Sequence, residues 1–452
     1  MIGIKLLVLA VLAAAVLYLI LRNSKNSLYL LVASFPMFNV ETVDFGGGFL
    51  VLSPHKVFGA MVVILMVVDV ISKKKEFRFF SPHMVLSVLL LALLLISFMV
   101  NGIQSLSWAQ RYLSNLVFLL AMVTWIDTRA EADRCREVFI ASLVFFTILG
   151  LLGQGGQTDL DGGTRDARFE ASMLNANRAA HAYLIGVGFS LAWFLRNLEI
   201  PWRRWVGFAV LMLLAYATML TGSRAGLVAL LIILGGLPLL LWRRPRGRSI
   251  LVPVLLGAVT LAVFMPQVMA RRAREIPTEG GDLNKEEAQR TRVHQYRLAF
   301  QLIDESPVIG IGPNEFNRVY SQRVEGDLGR ALHSWYLNVA VDAGIPALLL
   351  FVLLFLVTFW VFVRGGLHGA DPGLRGEGWS TALLVLGLMV FGTVSSVPYS
   401  KLTWLVFTFG AVDLHLQKRE REERGQEAVR AFSDQTEGLS LAGNTVVVVK
   451  KG

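Results

Sequence analysis

The sequence predicts an all-α fold: a polytopic bundle of about 12–13 transmembrane helices with a small helical extracytoplasmic cap. Three observations predict it. Hydrophobic residues make up 54% of the 452 positions and charged residues only 17%, against roughly 25% in soluble domains. The apolar residues gather in runs close to the ~20 residues that a bilayer core requires. The Lys and Arg residues fall in alternate connections between those runs, the pattern that orients a membrane protein.

The expected spans are 2–21, 28–40, 54–72, 82–100, 109–126, 136–152, 177–195, 205–221, 223–242, 250–266, 344–363, 379–397 and 401–416. The first reads as a retained helix, because no small-residue cleavage site follows it. The second is short for a crossing, so a tilted or partly re-entrant segment continued by Gly46, Gly47 and Gly48 is the alternative. One set of connections, from Arg22 and Lys25 through Lys73–Arg78, Arg129–Arg136, Arg196–Arg204 and Arg243–Arg248 to Arg364 and Arg375, carries eighteen cations. The alternate set, the longest loop excepted, carries Arg165, Arg168, Arg224 and Lys401. The first set is therefore read as cytoplasmic.

Four regions follow: N-terminal spans over 1–266, a large outer loop over 267–343, C-terminal spans over 344–416 and a charged cytoplasmic tail over 417–452. The loop is too long for a simple connector. Between Lys285 and Asp304 the apolar positions Val293, Tyr296, Phe300 and Ile303 recur at helical spacing. Gly310-Ile311-Gly312-Pro313 is a turn with Pro placed to open another helix. A third helix is expected from about Ala331 to Ala343, with Gly344 and Pro346 separating it from the next span. In the tail, Lys418 to Arg424 alternates in charge and suits a solvated helix. Disorder is expected beyond Gly425.

The net charge of +10 does not point to nucleic acid, since its cations lie in short loops between spans and no recognition helix or aromatic RNA motif is visible. The single cysteine, Cys135, excludes an intramolecular disulfide and reads as a reduced bystander in a cytoplasmic loop. No phosphate-cradling Gly-x-x-x-x-Gly-Lys loop and no paired His or Cys spacing occur, which argues against ATP hydrolysis and a zinc site.

Arg224 sits in Thr221-Gly222-Ser223-Arg224-Ala225-Gly226, the polar break between two apolar helices. It is either an interfacial anchor or a planar clamp for an anion, with Ser223 and the helix-start amides adding donors. His333, in Leu332-His333-Ser334-Trp335-Tyr336, is either an interfacial histidine among aromatic anchors or a general base, because imidazole titrates near neutral pH. Arg292, Arg297 and Arg323 are each a solvated helix face or, together, a positive vestibule for an anionic substrate. Asn177 opens a span, where a helix cap is the default, and Arg165 and Arg168 precede it on the same side. Asp304 and Glu305 read as solvated surface acids.

Four segments carry a likeness. They are Arg168-Phe169 through Asn177-Arg178-Ala179-Ala180; Thr221 to Gly226; Arg292 with Tyr296, Ala299, Pro307, Gly310-Ile311-Gly312 and Phe316; and His333-Ser334 with Gly344 beyond. In order, spacing and placement they resemble the O-antigen ligase and polymerase family of bacterial membrane glycosyltransferases. Tyr296 stands where that family commonly has Trp, and Ala347 where the ligase motif has Gly, Thr or Tyr.

The resemblance implies a C-type membrane glycosyltransferase of the bacterial inner membrane with its active site facing the periplasm. Its donor would be a glycan on undecaprenyl diphosphate, and its acceptor a hydroxyl of lipid A–core or, in a polymerase, of another lipid-linked repeat unit. It also implies no metal and no cofactor, with Arg224 and Arg292 on the diphosphate, His333 as base, and Ser223, Asn177 and Arg168 contacting substrate. Inversion at the anomeric carbon follows from a single displacement. Two readings of another class compete: a transporter of lipid-linked glycans, for which Asp69 and Asp413 are the main intramembrane acids, and a scaffold that binds polysaccharide-assembly proteins.

Overall fold

The computed structural model describes residues 18, 22–36, 43–44, 51–52, 54–78, 80–103, 107–152, 176–242, 244, 246–253, 256, 281–323, 331–396 and 398–441. All but Tyr18 of the expected first span, most of the span at 250–266, and the Arg165–Arg168 segment lie outside them.

The fold is a helical transmembrane bundle. Its elements are α1 (Lys25–Ala33), a two-residue antiparallel pair β1 (Val43–Asp44) and β2 (Val51–Leu52), α2 (Pro54–Ile71), α3 (Pro82–Val100), α4 (Ser107–Trp125) and α5 (Arg129–Leu151). Then come α6 (Ala176–Arg196), α7 (Pro201–Leu220), α8 (Arg224–Gly235), α9 (Leu237–Trp242), α10 (Gly281–Glu305), α11 (Phe316–Arg323), α12 (Trp335–His368), α13 (Pro372–Gly392) and α14 (Lys401–Leu441). Among the described residues, five helical stretches are long and apolar enough to cross a bilayer: 82–100, 201–220, 224–242, 335–368 and 372–392.

Local chemistry starts the helices where the sequence places them. Ser81, Ser223, Ser334 and Asp371 each cap a helix by accepting a backbone N–H with the side chain. Thr128 and Glu131 form a reciprocal capping box at the start of α5. α1 has nine residues, about 14 Å of helix, so it is half a crossing, as its short apolar run suggests. α5 begins at Arg129, about two turns earlier than its apolar run. It therefore takes in Cys135, which is fully buried in the helix and not in a loop.

α6, α12 and α13 form the centre, with α3 and α14 packed on α12, and α7 and α8 on α6 and α13. Small residues allow the close approach: Gly188 of α6 faces Leu384 of α13, and Gly378 faces the backbone at Phe362 and Gly365.

Among the described residues, several cations of the first set meet carboxylates at one end of the bundle, where helices are tied by ion pairs. Lys75 and Arg78 meet Asp127, and Lys25 meets Glu131. Arg129 reaches Asp413 at 2.9 Å and Glu420 at 2.8 Å. Arg136 pairs with Asp413 at 2.8 Å and with Glu377, and Arg196 with Asp133 and Glu377. Asp69 accepts from Ser24 at 2.8 Å and from the Trp125 indole at 3.1 Å. Both acids singled out for a transport pathway thus serve as ties between helices.

The opposite end is less poor in cations than its loops suggest, because Lys56, Arg111 and Arg178 stand within the first five residues of α2, α4 and α6. The charged tail also departs from expectation. α14 runs through Gly425 to Leu441, in place of the disorder expected there. Its emergent part carries Lys418–Glu422, Arg419–Glu423 and Glu420–Arg424 pairs at four-residue spacing, which support an exposed helix.

Candidate functional site

The outer-loop helices pack on the end of the bundle opposite the ion-pair network. α10 buries Gln295, Leu298, Ala299 and Leu302, and the last three meet Phe316 and Tyr320 of α11, Leu332, and Val341 of α12. The buried stripe is offset from the expected one. Tyr296 and Ile303 lie at its edge, while Val293 and Phe300 are exposed at 58% and 62%, because the facing elements cover the 295/298/302 row.

α12 is broken at Ala343 (φ −146°, ψ 22°) and Gly344 (φ 82°, ψ 178°). Gly344 occupies a backbone region that only glycine adopts freely, and a Cβ there would run into Val308 and the Pro307 carbonyl. The Pro307–Gly312 turn fills the break. Ile311 N–H donates to the Val341 carbonyl at 2.8 Å, Gly312 N–H to the Asp342 carbonyl at 3.2 Å, and Ile345 N–H to the Pro307 carbonyl at 2.7 Å. From α3, the Ser97 hydroxyl donates to the Asp342 carbonyl at 2.7 Å and the Asn101 amide to the Gly310 carbonyl at 3.2 Å. The backbone groups freed by the break are therefore satisfied by the loop that docks on it.

His333 lies one residue before the cap of α12. Ser334 accepts Leu337 N–H at 3.3 Å, and the Asn338 amide donates to the carbonyls of Leu332 and Ser334, each at 2.7 Å. The Tyr296 hydroxyl donates to the His333 carbonyl at 2.9 Å. The imidazole is half-buried, and its enclosed Nδ1 has no hydrogen-bond partner among the described residues. Nε2 is then the nitrogen available to a substrate hydroxyl. Burial first, and then the charge of Arg292, hold His333 below its ordinary value of 6.5. It is therefore the neutral, proton-accepting form at neutral pH.

Arg224 opens α8. Gly222, at φ 53°, turns the chain from α7, and buried Ser223 accepts Gly226 N–H at 3.2 Å. Ser223 is thus committed to holding the turn, while the Arg224 side chain is exposed. Asn177 is the second residue of α6, inside its first turn and not at the cap position.

A chain of contacts brings these segments to one end of the bundle. A Cβ on Gly226 would lie 3.0 Å from Ala180, so the start of α8 abuts the start of α6. His181, the next residue of α6, packs tilted against Trp335, two positions after His333, with ring centroids 5.1 Å apart. Arg224, Asn177 and His333 therefore lie at the same end of the bundle, and Arg292 is within electrostatic reach of His333. Arg168 lies outside the described residues. Arg297 is exposed, and Arg323 is held by Glu305 through two hydrogen bonds of 2.9 and 2.8 Å. That pair leaves Arg323 committed within the cap.

Sequence reasoning missed part of this end. Arg178 lies within electrostatic reach of both Arg111 and Lys401, and Lys401 of His55. Lys401 also sits over the Phe35 ring at 5.3 Å. Each of these cations stands at the edge of an apolar run, and only the packing of α2, α4, α6 and α14 gathers them.

A search of curated proteins finds no match to the chain. Residues 209–352 match the family described as O-antigen ligase. That stretch begins in α7 and ends in α12, and so contains Arg224, Arg292, His333 and the whole docked loop. The chain is a helical transmembrane bundle whose residues 209–352 are similar to the O-antigen ligase family.

Proposed function

We propose that the protein transfers a glycan from undecaprenyl diphosphate to an acceptor hydroxyl, of lipid A–core or a similar glycolipid, at the periplasmic face of the bacterial inner membrane. The observation that carries this reading is the convergence of an exposed arginine fork, Arg224, and a half-buried neutral imidazole, His333, on one end of the bundle.

In the reaction, the acceptor oxygen attacks the anomeric carbon and the bond from that carbon to the diphosphate oxygen breaks. His333 Nε2 takes the acceptor proton as the bond forms. Arg224 and Arg292 neutralise the charge that builds on the departing lipid diphosphate, the kind of fixed stabilisation that lowers such barriers most. Ser223 holds the start of α8, Asn177 in the first turn of α6 contacts the substrate, and Arg168 adds charge from the preceding segment. One displacement gives inversion. The residues named supply both proton transfer and charge stabilisation, so the reaction needs no metal or cofactor. Arg178, Arg111 and Lys401 add a positive approach for the anionic donor.

The test is reconstitution of the purified chain in liposomes with an undecaprenyl-diphosphate-linked glycan. His333→Ala and Arg224→Lys should each lose at least about a hundredfold in transfer rate, the second because an ammonium cannot reproduce the bidentate fork. Full activity in either variant removes that residue from the mechanism. Product on a second lipid-linked unit, and none on lipid A–core, would identify a polymerase. Passage of donor across the bilayer with no new glycosidic bond would replace the reading with a transporter.

A further inference from the structure

The cation-rich end holds a cleft that glycosyl transfer does not use. It lies between the last turns of α12, the first turns of α13 and the stretch of α14 around Gln417 to Arg424, with Arg129 also in its lining. Its three acids are already engaged. Asp413 holds Arg129 and Arg136, Glu377 holds Arg136 and Arg196, and Glu420 holds Arg129 at 2.8 Å. Arg364 and Arg421 line the same cleft, and neither makes an ion pair among the described residues. Arg424 stands 4.0 Å from Glu420, already bound to Arg129, and His368 lies exposed in the lining.

The lining therefore carries positive charge in excess of its carboxylates. Two guanidinium groups without carboxylates, in one concave site, match the oxygens of a phosphate group. Phe362 and Leu374 add an apolar patch to that lining. The cleft also lies where α12 and α13 meet at the turn between His368 and Pro372, at the end where the spans emerge.

We infer that this cleft binds a phosphate-bearing anion, with Arg364 and Arg421 as its principal ligands. The shared chemistry has two sources, the headgroup of an acidic phospholipid in that leaflet or a soluble phosphate compound. Neither depends on the transfer reaction proposed for the opposite end, so failure of one leaves the other standing.

The test uses the full purified chain in detergent, with native mass spectrometry after incubation with phosphatidylglycerol or phosphatidylcholine, and calorimetry with inorganic pyrophosphate. Wild type should retain phosphatidylglycerol, or bind pyrophosphate, at least about fivefold better than the Arg364→Gln/Arg421→Gln double variant, with phosphatidylcholine lost from both. Retention of phosphatidylglycerol that pyrophosphate cannot displace assigns the site to lipid. Pyrophosphate binding without lipid selectivity assigns it to a soluble ligand. Wild-type binding should also weaken as salt is raised, a readout that does not depend on the variant folding. Equal retention of the two lipids by wild type together with no pyrophosphate binding would overturn the inference. So would a folded double variant that binds as wild type does.

Discussion

The Tyr296 hydroxyl donates to the main-chain carbonyl of His333 at 2.9 Å, so a side chain of the outer-loop helix α10 fixes the backbone that carries the imidazole. Tyr296→Phe removes that bond alone. A hydrogen bond of this kind contributes about 0.5–1.5 kcal/mol. Turnover should fall roughly three- to tenfold at saturating donor, with KM for the donor unchanged, because the lost contact positions the base and does not touch the diphosphate. An unchanged turnover would show that the carbonyl tie is dispensable.

The pH dependence follows from His333. Its folded value lies below 6.5 because burial and then Arg292 disfavour the imidazolium. The base is competent while neutral, so kcat/KM should hold through neutral pH and fall only as pH drops through that lowered value. Arg292→Gln removes a neighbouring cation and should move the acid limb upward, toward 6.5, besides weakening donor binding. A limb that stays in place in that variant would separate Arg292 from the imidazole.

Gly344→Ala tests the helix break. The backbone there, at φ 82° and ψ 178°, costs a non-glycine residue about 1–3 kcal/mol. The added methyl also meets the Pro307 carbonyl at 2.8 Å. The melting temperature should drop by several degrees, and limited proteolysis should cut the 307–312 turn faster than in wild type. Wild-type stability would mean that the docked loop moves aside without cost.

Glu377→Ala probes the opposite end. It leaves Arg136, 4% exposed, with Asp413 and Asp133 as its remaining partners. Removing one member of a buried ion pair costs about 3–5 kcal/mol, and the remaining acids place the loss at about 3 kcal/mol. Thermal unfolding in detergent measures it. Transfer activity at low temperature should be unaffected, since Glu377 lies at the end away from His333.

Much of the fold is legible in the sequence because membrane helices are written in composition. The spans at 82–100 and 223–242, the Gly-Pro turn at 310–313 and the separation at Gly344 all correspond to observed elements. The ion-pair network is not legible, because Arg136 and Glu377 stand 241 positions apart and each looks like an ordinary helix-end charge until the helices pack. The buried face of α10 was misread for a related reason. Val293 and Phe300 are as apolar as Leu298 and Leu302, and only the placement of α11 and α12 selects the row that is covered. At the proposed site, Arg224, Arg292 and His333 are the residues that motif spacing singles out. Arg178 and Lys401 are not, since a cation at the edge of an apolar run ordinarily signals an anchor.

The bonds that stitch Pro307–Gly312 into the gap at Ala343–Gly344 run from amide to carbonyl. Amides and carbonyls are the same for almost every amino acid, so residues 311, 341 and 345 can change identity without unpicking the seam. Among close variants of this chain, the join should persist through extensive drift at those positions, with the freedom of a missing side chain at 310, 312 and 344 as its strict demands.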